Sequence, residues 1–305
     1  MKTIDIEDFK EYIKEQRNTY FEVPFKFTYD VFCELGFDKK DNNYFRENAS
    51  EFIETMRENC WNKFVPLEKK FMSNMLSYLI DVDEVNKLSP ADAIKSFVEE
   101  YPQHIYDLSL SNTQSRRSRA GKEFEAIIML LLVGANISAD EQGAIGKNFF
   151  QKNNIGKLVD FVSPSVMHYL MNKRDTFLIS AKTTLRERWQ EVPEEVTRTG
   201  TREMYLTTLD DSISEETLRI LYESNIFVVT TKNNKESFYS DSNAVITFET
   251  MIHDAMEICN KWNNKKYTED EYGTLTEHFH NLIDKYFDYP FIKEYYVKKL
   301  NEISK

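Results

Sequence analysis

Between Lys157 and Thr230 the apolar pattern stops recurring every three to four residues and breaks into short runs, and this switch decides what the chain can fold into. Lys157–Val162 and Thr176–Ala181 are short, apolar and partly β-branched, bounded by Gly156, Pro164 and charged residues. Both predict strands, as do Glu203–Thr208 and Ile226–Thr230. Between the last two, Ser212–Ser224 carries a capping serine, Glu215, Glu216 and an apolar stripe of Ile213, Leu218, Ile220 and Leu221, which predicts a helix. Pro193 predicts the start of another. Strands interleaved with helices predict an α/β core, a mixed central sheet with helices on both faces.

The flanks read as helical. Ala49–Phe64 and Pro66–Leu79 have apolar residues at mixed three and four spacings, and Ser89-Pro90 is an N-cap serine followed by proline at the first helical position. A further helix is predicted over Ser115–Val133, closed by Gly134 in the left-handed conformation. Its second half, Phe124–Val133, is apolar all round and so should be buried all round. From Thr247 onward the pattern is helical again. No Gly/Pro/Ser-rich linker interrupts the chain. The expectation is therefore one domain over 1–305, with a helical elaboration at 1–110, a core at 111–245 and C-terminal helices at 246–305.

Charge narrows the function. The 305 residues carry 39 basic and 51 acidic side chains, net −12, which taken alone argues against a nucleic-acid partner. The distribution reverses that reading. Residues 1–110 and 203–305 each carry net −8, whereas 111–202 carry net +4 and eight of the twelve arginines. Arginine suits planar, two-pronged recognition of phosphate and guanine, although on charge alone a solvated face is the favoured reading. The longest apolar run, Ala126–Ala135, is half a membrane span. The first residues are acidic, with no apolar leader, and Cys33, Cys60 and Cys259 are isolated thiols. These features predict a cytoplasmic protein from a reducing compartment.

Period two puts Leu178, Ser180 and Lys182 on one strand face, and Leu158, Asp160 and Val162 on one face of the earlier strand. A carboxylate and a lysine meeting at a sheet edge can hold Mg²⁺ and orient a water, or can form a plain ion pair. Ser180 is neutral and supplies no second acid. Glu191, Glu194, Glu195, Glu123 and Glu125 are the candidates; Glu194 reads as a helix cap, Glu125 as a buried acid that needs a cation. Arg186-Glu187-Arg188 directly follows the lysine strand. Arginine can donate twice to guanine and glutamate can accept from cytosine, so the run matches G and C edges; a self-neutralised surface turn is the plain alternative. Gln114 could read a base edge, and Arg116, Arg117, Arg119 and Lys122 are placed at a helix N-terminus, where they suit phosphates. Gly143–Asn148 is not a phosphate-binding loop, no GxGxxG or GxSxG is present, and His278 and His280 read as structural.

Taken together, Ser118–Glu125 (Ser-Arg-Ala-Gly-Lys-Glu-Phe-Glu), Val159-Asp160, Ser180–Trp189 (Ser-Ala-Lys-Thr-Thr-Leu-Arg-Glu-Arg-Trp) and Glu195 resemble the type II restriction endonucleases of the SsoII, PspGI and EcoRII group along the whole chain. The resemblance implies a PD-(D/E)XK nuclease core with helical N- and C-terminal elaborations. It implies a homodimer that cuts double-stranded DNA at a CCNGG-type site with Mg²⁺. By position, Asp160 matches the metal-binding acid and Lys182 the catalytic lysine. Ser180 departs from the usual acid, which this branch supplies as Glu195, and Glu125 matches a supporting helix acid. Arg186, Glu187 and Arg188 match the segment that reads C and G pairs. Group members that accept an unspecified central pair extrude its bases. Arg57 and Trp61, four apart on a predicted helix, can sandwich such a base; core packing is the other reading of Trp61. A cognate methyltransferase in the same system is implied, without direct contact. The rival readings are a non-cleaving DNA-binding regulator, which Ser180 favours, and a structure-specific repair nuclease on the same core.

Overall fold

The six strands lie in the sheet in their order along the chain: β1 (Asp140–Glu141), β2 (Phe161–Ser163), β3 (Phe177–Lys182), β4 (Met204–Thr208), β5 (Ile226–Thr230) and β6 (Val245–Thr247). β1, β2 and β3 pair antiparallel, and β3 to β6 pair parallel. The structure, a computed structural model, describes residues 2–152, 155, 159–263 and 265–303.

Near-continuous apolar strands need cover on both faces, and both are covered. On one face Val162, Leu178, Met204, Leu206, Val228 and Val245 pack with Leu218 and Leu221 of helix Glu215–Glu223 and with Val192 and Val196 of helix Val192–Thr199. On the other, Phe177, Tyr205 and Phe227 form a column with ring centroids 5.3 and 6.0 Å apart. The hydroxyl of Tyr205 donates to Asp254, on helix Phe248–Trp262, at 3.2 Å. The outer edge is clasped by the C-terminal helices Glu269–Lys285 and Pro290–Ile303. His278 Nε2 meets Asp140 at 2.8 Å, and Tyr296 donates to the Ala139 carbonyl at 2.8 Å.

The chain divides into two compact units. One comprises Met1–Val31 and Glu58–Glu123; the other comprises Phe32–Arg57 and Phe124–Lys305 and contains the sheet. The first has its own core of Phe9, Ile13, Phe71, Met75, Leu79, Tyr101 and Leu108. Its helix Pro90–Glu100 starts as expected, with Ser89 capping Asp92 and Pro90 in the first turn.

Five details differ from expectation. The helices expected at 49–64 and 66–79 are one, Ala49–Tyr78, which runs through Pro66. Phe64, Phe71 and Met75 are buried on either side of the proline, so packing outweighs the one lost backbone bond. The helix expected from Ser115 begins at Pro102 and ends at Gly134. Gly134 is not left-handed; Asn136 is, at φ +67, in a Schellman closure from Ile137 N–H to the Leu132 carbonyl at 2.8 Å. Glycine at 134 serves packing instead, since a Cβ there would lie 2.6 Å from the Phe45 ring. The first predicted strand is shorter, with 157–158 outside the described residues, and the brief β1 and β6 were not anticipated.

Candidate active site

Asp160 stands immediately before β2 and Lys182 ends β3. The register Phe161↔Ile179, carried back one residue, sets Asp160 opposite Ser180. The Asp160 N–H confirms it by donating to the Ile179 carbonyl at 2.9 Å. On that shared face Asp160 Oδ2 accepts from the Ala181 N–H at 2.6 Å and from Lys182 Nζ at 2.8 Å. Nζ also donates to the Ala181 carbonyl at 2.9 Å. Both side chains are 13% exposed, so the pair is largely removed from water yet open to a small ligand. The strand parity read from the sequence thus brings these two residues together.

Ser180 Oγ is fully buried and has no hydrogen-bond partner among the described residues. A buried hydroxyl left unpaired costs about 1–3 kcal/mol. Beside a carboxylate, it fits the hydration shell of a hard, oxygen-loving cation such as Mg²⁺, which keeps several waters when bound. Glu195 lies in the first turn of helix Val192–Thr199, and its side chain is outside the described residues. Among the described residues, no three acidic, histidine or cysteine side chains gather to hold a metal. Glu125 is half-buried between fully buried neighbours, Phe124 and Ala126.

One carboxyl at this edge was not read from the sequence. Glu141 on β1 pairs with Phe161 on β2, next to Asp160. Burial pushes its carboxyl up to about 7; the Tyr286 hydroxyl at 3.2 Å opposes the rise and the charge of Asp160 adds to it. A strand of two residues carries no period, so only the acid pair Asp140-Glu141 after an apolar run marked it.

Past Lys182 the chain enters a 3₁₀ turn, Arg186–Glu191. Leu185 is 2% exposed in the sheet core and Trp189 packs against the same cluster, so the turn is pinned at both sides. Arg186 is exposed and takes a left-handed φ of +45. Glu187 and Arg188 lie in the turn, their side chains outside the described residues.

The basic cluster differs from its reading. Arg116, Arg117, Arg119 and Lys122 lie well inside helix Pro102–Gly134, because the helix starts earlier, and so do not sit at its N-terminus. Gln114, Arg116 and Arg117 are exposed. Arg116 is ion-paired with Glu68 and lies 5.5 Å over the Trp61 ring. Arg119 turns inward. It donates to Glu123 at 2.6 Å and to the Glu22 carbonyl at 2.9 Å, and it stacks on Phe27 and Phe64. Its charge is spent in the interior, so it is not a surface phosphate contact. Arg57 and Trp61 lie one turn apart on helix Ala49–Tyr78, Arg57 half-buried and Trp61 45% exposed, so Trp61 is not a core residue.

Among the described residues, no helix is long and apolar enough to cross a membrane. The family described as EcoRII C terminal matches residues 83–252, more than half of the chain. The type II restriction enzyme SsoII of Shigella sonnei is 57% identical over 303 residues, 99% of each chain. Metal-depleted Ecl18kI in complex with uncleaved, modified DNA superposes with a TM-score of 0.93 at 55% identity, over 98% of this chain and all of that one. The PspGI–substrate DNA complex shares the fold at 17% identity, with a TM-score of 0.59 over 85% of this chain and 98% of that one.

Proposed function

This chain belongs to the type II restriction endonucleases of the EcoRII C-terminal family, site-specific deoxyribonucleases acting on DNA, and from that premise we propose that it cuts double-stranded DNA at CCNGG-type sequences with Mg²⁺. Membership sets aside a non-cleaving regulator and a structure-specific repair nuclease. The observation that carries the mechanism is the Asp160–Lys182 pair at 2.8 Å beside the unpartnered Ser180 hydroxyl.

In the proposed reaction Asp160 and Glu195 would hold the cation. Mg²⁺, when bound, supplies charge stabilisation at the scissile phosphate and makes a water more acidic. Lys182, fixed by Asp160 and the Ala181 carbonyl, orients the attacking water towards phosphorus, in line with the leaving oxygen. Glu125 tunes the charge of the site from its helix. Arg186, Glu187 and Arg188 read the C and G pairs, Gln114 a base edge, and Arg116 and Arg117 contact phosphates. Arg57 and the exposed Trp61 sandwich an extruded central base. A two-fold DNA site calls for a C2 homodimer. A cognate methyltransferase belongs to the same system without touching this chain.

Digestion of a plasmid of known sequence with Mg²⁺, followed by sequencing of the fragment ends, tests this reading. Ends mapping to CCNGG, absent from a Lys182→Ala control, are expected. Unchanged plasmid across a range of salts, or ends at unrelated sequences, would overturn it.

A further inference from the structure

We propose that Asp210 is a positioning residue that clamps the Arg186–Glu187–Arg188 turn and so sets how sharply the enzyme tells its site from near matches. The proposal rests on the reading that this turn contacts base edges.

β3 and β4 run parallel with Lys182 opposite Thr208, and the pairing continues past the strand ends with Leu209 N–H to the Thr183 carbonyl at 3.4 Å. Asp210 therefore emerges at the carboxyl ends of these strands, beside the chain leading into the turn. Ligand sites in open sheets lie at such ends. Asp210 Oδ2 accepts the Leu185 N–H at 2.8 Å, and Oδ1 accepts the N–H and hydroxyl of Ser212 at 3.2 and 3.0 Å. Burial would raise the Asp210 pKa, but the Leu185 N–H, the Ser212 hydroxyl and N–H, and the Arg186 N–H hold it below the ordinary range.

Asp210 is itself fixed. Its N–H donates to Thr208 Oγ1 at 3.2 Å, and its carbonyl accepts from Asn234 Nδ2 at 3.0 Å and Tyr239 Oη at 2.8 Å. Asn234 also donates to Thr230 Oγ1 at 2.7 Å, at the end of β5. The clamp is thus referred to two neighbouring strands, β4 and β5. What it holds is a strained backbone: Arg186 at φ +45 lies in a region that non-glycine residues avoid. Such strain persists only where the surroundings over-determine it. Here the buried Leu185 side chain and the Asp210 carboxylate do so, on the residue before the strain. The Asp160–Lys182 pair depends on β2–β3 pairing and Ala181, not on Asp210. Loss of the clamp should therefore degrade discrimination and spare the chemistry.

Asp210→Asn is the selective variant. It can keep the turn to Ser212 while presenting an amide donor to the Leu185 N–H; Asp210→Ala removes both contacts. Single-turnover cleavage is measured on a CCNGG duplex and on one with a single substituted outer pair, for each variant, for Glu187→Ala and for the double variants, with thermal unfolding alongside. Both Asp210 variants should lower the cognate-to-substituted rate ratio at least about tenfold, since misplacing contacting groups by 1 Å costs up to about a hundredfold. In the Glu187→Ala background they should change it less than about twofold, because residues acting through one contact are not additive. An unchanged ratio, equal slowing on both duplexes, or effects that multiply in the double variants would overturn the clamp. Glu187→Ala with undiminished discrimination would instead refute the reading of the turn itself.

Discussion

Truncating Lys182 to alanine should do two separable things, both following from its 2.8 Å contact with Asp160. The first concerns stability. At that distance the two charges attract by roughly 6 kcal/mol at an effective dielectric near 20, before their desolvation is set against it. Removing one partner of a buried pair costs about 3–5 kcal/mol, because the other charge is left uncompensated. Asp160 is 13% exposed and keeps the Ala181 N–H, so water and that donor recover part of the loss. A fall of about 1–3 kcal/mol is expected in urea unfolding without Mg²⁺. Adding Mg²⁺ should return more stability to the variant than to the wild type, since a cation on Asp160 takes over the missing partner's role. The second effect is catalytic. Loss of a fixed cationic donor at the reacting phosphate lowers the rate by about 10²–10³-fold. It should do so with DNA binding in Ca²⁺ preserved, because Lys182 contacts the carboxylate and not the reading turn. Single-turnover cleavage and fluorescence anisotropy separate the two. A variant that cleaves within about threefold of the wild-type rate, or that loses no stability, would refute this account of the pair.

His168 should make the fold acid-sensitive. Burial, then the charges of His278 and Lys265, lower its pKa from 6.5 to about 3, so the folded state holds it neutral where the unfolded chain protonates. Stability is therefore lost as pH falls below 6.5 towards 3, by about 2 kcal/mol at about pH 5. His168→Gln should flatten the difference between urea unfolding at about pH 5 and pH 7.5 by that amount; an unaltered difference would refute the reasoning. Gly134→Ala should destabilise by about 1–3 kcal/mol, since the added Cβ would lie 2.6 Å from Phe45 inside a packed core, despite alanine's better helix propensity. A rise in melting temperature would contradict it.

Strands β3, β4 and β5 were legible because apolar, β-branched runs buried on both faces leave an unbroken mark in the sequence. β1 and β6, of two and three residues, are strands only because a neighbour pairs with them. The Asp160–Lys182 contact was legible for a related reason: equal parity on adjacent strands forces a shared face. Glu141 was not, since its burial comes from helices more than a hundred residues later. Arg119 misled because a run of cations looks solvated. Its partners Phe27 and Phe64 are distant in sequence, and Glu123, one helical turn on, reveals the pairing only once the helix is placed. Pro66 misled in the same way, by a local rule that tertiary packing overrides.

The claim beneath all of this is that two acids 35 positions apart, Asp160 and Glu195, serve one cation although Ser180 occupies the usual second-acid position. Mn²⁺ binding to the protein–CCNGG duplex complex, followed by electron paramagnetic resonance, measures it directly. Asp160→Asn and Glu195→Gln should each weaken Mn²⁺ binding at least about tenfold, the loss of one charged ligand, with duplex affinity unchanged. A Glu195→Gln complex that binds Mn²⁺ as tightly as the wild type would contradict it.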